Sequence, residues 1–260
     1  MSVRVVLGSF FLQVRTSASV RDLLYPALAQ ITIVAAVGWI VRSLTVPHLL
    51  ISLFAGTFFA TLWRTSAFRG GWILSEAYAA GTLEIDLLSP ARLPAVLFGR
   101  ILGIVFLYTL TAAAVTLGIL LMATSMTVDC SGMYLAGSLV VGIFAVLANA
   151  FLLIPISFLT GGLPGFFNAI LPGIVILSGF LHPTSAFHPF WQALGRVLST
   201  TSAMAALRLS TEASPNGSQI LEYWAESFGL SACIFVLATA LIISSERKLR
   251  SGLYSSFSER

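Results

Sequence analysis

Six long apolar stretches, at 23–41, 49–63, 96–123, 133–159, 163–181 and 228–244, dominate this chain. Each is about long enough to cross a hydrocarbon core of roughly 30 Å as a helix. Inside a bilayer the backbone must satisfy its own hydrogen bonds, so helices are the natural reading of such segments. The stretch at 49–63 is the shortest, and its helix is expected to continue into the cytoplasm. With 57% hydrophobic and 9% charged residues, the chain is far from a soluble domain, where roughly a quarter of residues carry charge. The expected fold class is therefore an all-α integral membrane protein with six transmembrane helices. Pro155, Pro164 and Pro172 cluster around the fourth and fifth spans, where neighbouring helices can satisfy the carbonyls that a proline frees.

The same composition removes several function classes. A net charge of +4 built from so few charges does not suggest a nucleic-acid partner. Cys130 and Cys233 make no disulfide framework, no metal-ligand spacing is present, and Cys233 sits in an apolar run as a small hydrophobe. His48, His182 and His188 lie near predicted helix ends and read as solvated loop residues. No acid or base falls in the middle of a span, where its cost usually marks an ion pathway, so ion-coupled transport is disfavoured. No paired Asp, His-Glu or Ser-His set lies within the spans, and no catalytic residues are assigned. Gln30 and Asn149 are the polar exceptions; such residues more often bond helix to helix than touch a substrate. The only lysine, Lys248, follows Arg247, so there is no Gly-Lys-Ser/Thr loop to hold ATP phosphates. Any use of ATP must come from another polypeptide.

Orientation follows from the cationic side chains. With the N-terminus inside, eleven fall on the cytoplasmic side, among them Arg15, Arg64, Arg69, Arg92 and Arg247, and only Arg42, Arg196 and Arg208 fall outside. Both termini are expected to be cytoplasmic, the last ten residues, 251–260, forming a short tail. Residues 1–20 place Val3, Val6, Leu7, Phe10 and Val14 on one side and Arg4, Gly8 and Arg15 on the other. That pattern fits a helix lying in the membrane interface. A signal peptide is the competing reading, but its apolar core would be short and followed by Gln13 and Arg15.

Between the second and third spans, residues 73–93 hold three of the ten acids, Glu76, Glu84 and Asp86. Thr82 can cap a helix from Leu83, with Glu84 in its first turn, where the helix dipole favours negative charge. Leu83, Leu87 and Leu88 then form a greasy face, and Ser89-Pro90 stops the helix. Periodicity alone leaves a solvated cytoplasmic loop as an equal alternative. The wording goes further: Gly81-Thr82-Leu83-Glu84 followed by Leu87-Leu88-Ser89-Pro90 resembles the signature of permease subunits of ABC-2-type exporters. In that family the stretch forms the coupling helix that docks on an ATPase subunit. The resemblance implies that Glu76, Thr82, Leu83, Glu84, Asp86, Leu87 and Leu88 belong to the docking region. Members often carry a Glu within four residues before the glycine, whereas Glu76 is five away.

A second patch supports the likeness. The external region 182–227 is about 45 residues, too long for an idle connection. Leu177-Ser178-Gly179-Phe180-Leu181-His182-Pro183, Phe187-His188-Pro189-Phe190-Trp191 and Ala205-Ala206-Leu207-Arg208 are similar to the family's Ser-Gly end of the fifth helix and its Ala-Leu-Arg close. The resemblance implies a re-entrant hairpin of short helices between helices 5 and 6. The family's proline near Ser199-Thr200 is missing here. The likeness spans residues 21–250, the single transmembrane domain. It implies a complex of two permease copies, or this chain with a paralogue, and two ATPase subunits that bind ATP and Mg, with no cofactor on this chain. It also implies a bacterial inner-membrane location and a substrate path along helices 1, 2 and 5, with Tyr25, Gln30, Asn168 and Ser178 as candidate lining residues. The expected cargo is an amphipathic drug-like or lipidic molecule moved outward. Haem or a lipid-linked glycan is the alternative on the same architecture; a passive channel or intramembrane enzyme fits less well.

Overall fold

The computed structural model describes residues 3–41, 47–83, 91–122, 131–159, 164–212 and 214–250. Helix is the only regular structure among them. The order is α1 (Val3–Ser17), α2 (Val20–Val41), α3 (Pro47–Ala79), α4 (Leu93–Met122), α5 (Gly132–Leu159) and α6 (Pro164–Leu177). A 3₁₀ turn at Thr184–Ala186 leads to α7 (Pro189–Gly195), α8 (Ser199–Ser210) and α9 (Gly217–Arg250). Among the described residues three helices are long and apolar enough to cross a membrane: Leu93–Gly118, Gly132–Ser157 and Gly217–Arg247. The other three stretches expected to span fall on α2, α3 and α6. In α2 the apolar run among the residues whose side chains are described is Asp22–Ala36. Helix α3 has 33 residues but carries Arg64, Arg69 and Glu76, and α6 has only 14.

The core lies where α3 crosses α5. Phe59, Leu62 and Trp63 of α3 are buried with Phe151 and Ile154 of α5 in one apolar cluster, which extends to Leu97, Ile101 and Ile104 of α4. If these helices sit in lipid, van der Waals fit rather than water exclusion holds them together, because lipid tails are as apolar as leucine. The span window of α5 is 67% buried and that of α9 only 22%, so α5 is central and α9 peripheral. Val236 and Leu237 of α9 accordingly stand exposed.

Helix α1 packs along the first turns of α4. The contact rests on Gly99 and Gly103, a small-xxx-small pair that lets backbones approach. A Cβ at Gly99 would come within 2.4 Å of the Val6 carbonyl oxygen and 2.8 Å of the Ser9 Cβ. The bundle-facing side of α1 is thus Val6, Ser9, Phe10 and Gln13. Val3, Leu7 and Phe11 form an exposed apolar row at helical spacing on another side. The sequence pattern grouped Val3 and Leu7 with Val6 and Phe10; tertiary packing divides that group into a protein-facing and an outward-facing half.

Candidate functional site

Ser19 caps α2: its hydroxyl accepts from the Asp22 backbone N–H at 3.2 Å and donates to Asp22 Oδ2 at 2.7 Å. The cap fixes Asp22 in the first helical turn, where the dipole favours a carboxylate. From there Asp22 pairs with Arg69 of α3. The same guanidinium donates to Glu76 Oε1 at 2.9 Å, two turns along α3, and through Nε to the Tyr108 hydroxyl of α4 at 3.2 Å. One half-buried arginine therefore ties three helices together, with all three partners accepting from it.

This clamp closes one end of a cavity of about 800 Å³ between α2, α3 and α6. Tyr25, Pro26, Ala29 and Ile33 supply the α2 wall, and Leu171, Pro172, Val175 and Ile176 the α6 wall. The α3 wall is a stripe: Thr61, Arg64, Thr65 and Phe68 recur at i, i+3, i+4 and i+7, which puts them on one helix face. From Ala60 to Arg69 that wall runs about 14 Å along the helix axis. The lining is mostly apolar, with charge near the clamp end. Its size lies within the roughly 300–1,000 Å³ usual for small-molecule sites.

Of the residues expected on a substrate path, Tyr25 is exposed and lines this cavity. Gln30 does not: it is buried against α4, where Nε2 donates to the Ala112 carbonyl at 3.2 Å and to Thr116 Oγ1 at 2.8 Å. Ser178 is fully buried and shares a 2.8 Å hydrogen bond with Thr200 of α8. Both are helix-to-helix contacts, the role expected for Gln30 and Asn149. Asn149 donates to Ala145 O at 2.8 Å and Ser199 Oγ at 3.0 Å. Asn168 lies on α6, with its side chain outside the described residues.

At the acidic stretch, α3 ends at Gly81, whose φ of +67° is open to glycine without strain. The Thr82 N–H bonds back to Ala77 O at 2.9 Å, a Schellman closure, and the Thr82 hydroxyl donates to the same carbonyl at 3.2 Å. Leu83, the last residue described before Ala91, is helical and buried. Both hydrogen bonds of Thr82 thus close the preceding helix, and the residues that it would cap lie outside the described ones. Glu84, Asp86, Leu87 and Leu88 lie outside the described residues. Glu76 is engaged with Arg69.

On the opposite end, the segment after α6 turns back on the bundle. Gly179 (φ +70°) reverses the chain, and Phe180 stacks over Phe59 with centroids 6.5 Å apart. Helix α8 is buried against α5 and α9. Arg208 donates to the Gly179 carbonyl, and burial lowers its pKa to about 10, which still leaves it a cation near neutrality. Phe190 and Trp191 of α7 are exposed.

The Asp22–Arg69 and Arg69–Tyr108 contacts were not legible in the sequence, since they join positions 47 and 39 apart. The one available signal was Ser19-Val20-Arg21-Asp22, a capping pattern that puts an acid at the start of an apolar helix.

No family model matches this chain, and no curated protein matches it significantly.

Proposed function

We propose that this chain is the permease subunit of an ABC-2-type exporter, moving an amphipathic drug-like or lipidic molecule out of a bacterial cell. The energy comes from two separate ATPase subunits, which bind ATP and Mg. Two permease copies, or this chain and a paralogue, form the pore. In this reading α2, α3, α4, α5, α6 and α9 are the six spans, both termini are cytoplasmic, and α1 lies in the inner interface. The re-entrant hairpin is the segment from the Thr184–Ala186 turn through α8.

One observation carries the reading. The Gly-Thr-Leu-Glu wording falls where α3, about 50 Å long by its residue count, stops at Ala79, the chain reverses at Gly81 and Leu83 is again helical. A hydrocarbon core of roughly 30 Å leaves the last turns of such a helix beyond the membrane. A helix restarting there is where an ATPase could dock. Two further features agree: the cavity lies among the first, second and fifth expected spans, and the outer segment folds back as short helices.

The mechanism follows from the clamp. The Asp22–Arg69 ion pair and the Arg69–Tyr108 hydrogen bond, linking α2, α3 and α4 near the docking side, join the cavity walls to the helix that would receive the ATPase stroke. Movement at 83–88 would then be transmitted along α3 to the stripe facing the cavity. The test is reconstitution with the partner ATPase in liposomes, using a panel of amphipathic dyes. ATP alone should drive dye movement with no imposed ion gradient. Movement driven by a proton gradient without ATP contradicts the reading.

A further inference from the structure

The cavity contains a cation that the clamp does not use. Arg64 lies five residues before Arg69, about 8 Å nearer the middle of α3, and its side chain is exposed to the cavity. Arg69 is saturated by Asp22, Glu76 and Tyr108. Arg64 makes no ion pair or hydrogen bond among the described residues. One turn away on the same stripe, Thr61 lines the cavity, and its hydroxyl is buried with no hydrogen-bond partner among the described residues. Around these two groups the walls are apolar: Ile33 on one side, Pro172 and Ile176 on the other, and Phe68 one turn beyond Arg64.

An exposed guanidinium beside an apolar groove, with no carboxylate paired to it among the described residues, offers a partner to an anion whose tail the groove can take. Its planar fork matches a phosphate or carboxylate with two parallel hydrogen bonds, while Thr61 can add a third. We infer that the α2–α3–α6 cavity binds an anionic amphiphile, its phosphate or carboxylate head on Arg64 and Thr61 and its tail along Phe68, Pro172 and Ile176. The occupant is a discrete ligand held in the cavity, in contrast to bulk bilayer lipid to which Arg64 simply extends. That the ligand is cargo rests on the exporter reading above; that it binds does not.

Binding is therefore measured on the full chain alone, without ATPase or nucleotide, in nanodiscs of neutral phosphatidylcholine. The probes are a pyrene-labelled long-chain alkyl phosphate and the matching alcohol. Wild type should bind the phosphate about tenfold or more tighter than the alcohol, as expected for a charge-assisted bidentate contact. Arg64→Gln should bring the two affinities together while alcohol binding is kept, and Arg64→Lys should retain part of the preference. Arg196→Gln, an exposed change on the outer segment, should bind as wild type. Adding phosphatidylglycerol to the discs should leave the wild-type preference in place. Equal affinities in wild type, an Arg64→Gln variant that keeps the preference, or loss of the preference in phosphatidylglycerol discs would each overturn the inference, the last by assigning Arg64 to bulk lipid. Failure here leaves ATP-driven transport untouched, and failure of ATP coupling leaves this binding result untouched.

Discussion

Asp22 and Arg69, 47 positions apart, meet at one end of the α2–α3–α6 cavity and join α2 to α3. Both side chains are close to 30% exposed. The pair therefore falls between surface ion pairs, worth about 0–1 kcal/mol, and buried ones, whose breakage costs about 3–5. Arg69→Gln should lower the unfolding free energy by about 1–3 kcal/mol, and Asp22→Asn by less, because Arg69 also serves Glu76 and Tyr108. Denaturant unfolding of detergent-purified protein measures both. Values within about 0.5 kcal/mol of wild type, the usual scatter of surface changes, would show that the clamp has no structural weight.

A second expectation concerns Gly99, over which α1 crosses α4. Gly99→Leu forces a side chain into the Val6 carbonyl and Ser9, an overpacking that costs about 1–3 kcal/mol. Helix α1 should lift away while the remaining helices stay folded. With Cys130 and Cys233 replaced, a cysteine placed at Ser9 should react faster with a thiol reagent in the Gly99→Leu protein than in its parent. Unchanged reactivity would mean that α1 is held elsewhere.

Much of this organisation was legible beforehand, for physical reasons that particular residues make plain. Helical segments followed from the apolar runs, and α5 matches its expected stretch; α9 contains 228–244 but begins at Gly217, inside the region expected to be external, because Glu222 and Glu226 interrupt an apolar run without interrupting a helix. The stop of α3 before Gly81 is a local event, written in adjacent residues. The grouping of Val3 and Leu7 with Val6 and Phe10 failed because periodicity defines a face without saying which neighbour meets it. Gln30 bonds α4 and Ser178 bonds Thr200 of α8, and neither lines the cavity; composition cannot tell which way a polar side chain faces. The clamp and the Arg64 stripe arise only when α2, α3 and α6 come together, so no sequence window contains them.

Gln30 provides a third test. Its Nε2 bonds two acceptors on α4, but its buried Oε1 has no partner among the described residues. Membrane-protein side-chain bonds average about 0.6 kcal/mol, and removing the orphaned oxygen offsets part of that. Gln30→Leu should change stability by less than about 1 kcal/mol in the same unfolding assay. A loss several times larger would mean that the amide organises the α2–α4 contact.

The orientation rests on the arginine asymmetry. In a cysteine-free background, single cysteines at Ser75 and Glu246 should be shielded from impermeant thiol reagents in intact cells, and one at Ser214 should react. Labelling of Ser75 from outside would reverse the assignment and remove the 73–93 stretch from the cytoplasm.

The most direct measurement of the central claim is co-purification of an ATPase with this chain, compared for wild type, Leu87→Ala and Glu84→Ala at equal membrane expression. A buried leucine anchor removed from a docking groove costs about 2–5 kcal/mol, by analogy with core truncations. Leu87→Ala should therefore lose most of the ATPase or uncouple its hydrolysis from transport, while the protein still inserts. Glu84→Ala should show a milder loss that deepens with salt, as a rim charge does. A P-loop ATPase should be bound to wild type and depleted from Leu87→Ala. Absence of any ATPase from wild type, or equal retention and equal transport in all three proteins, would contradict it.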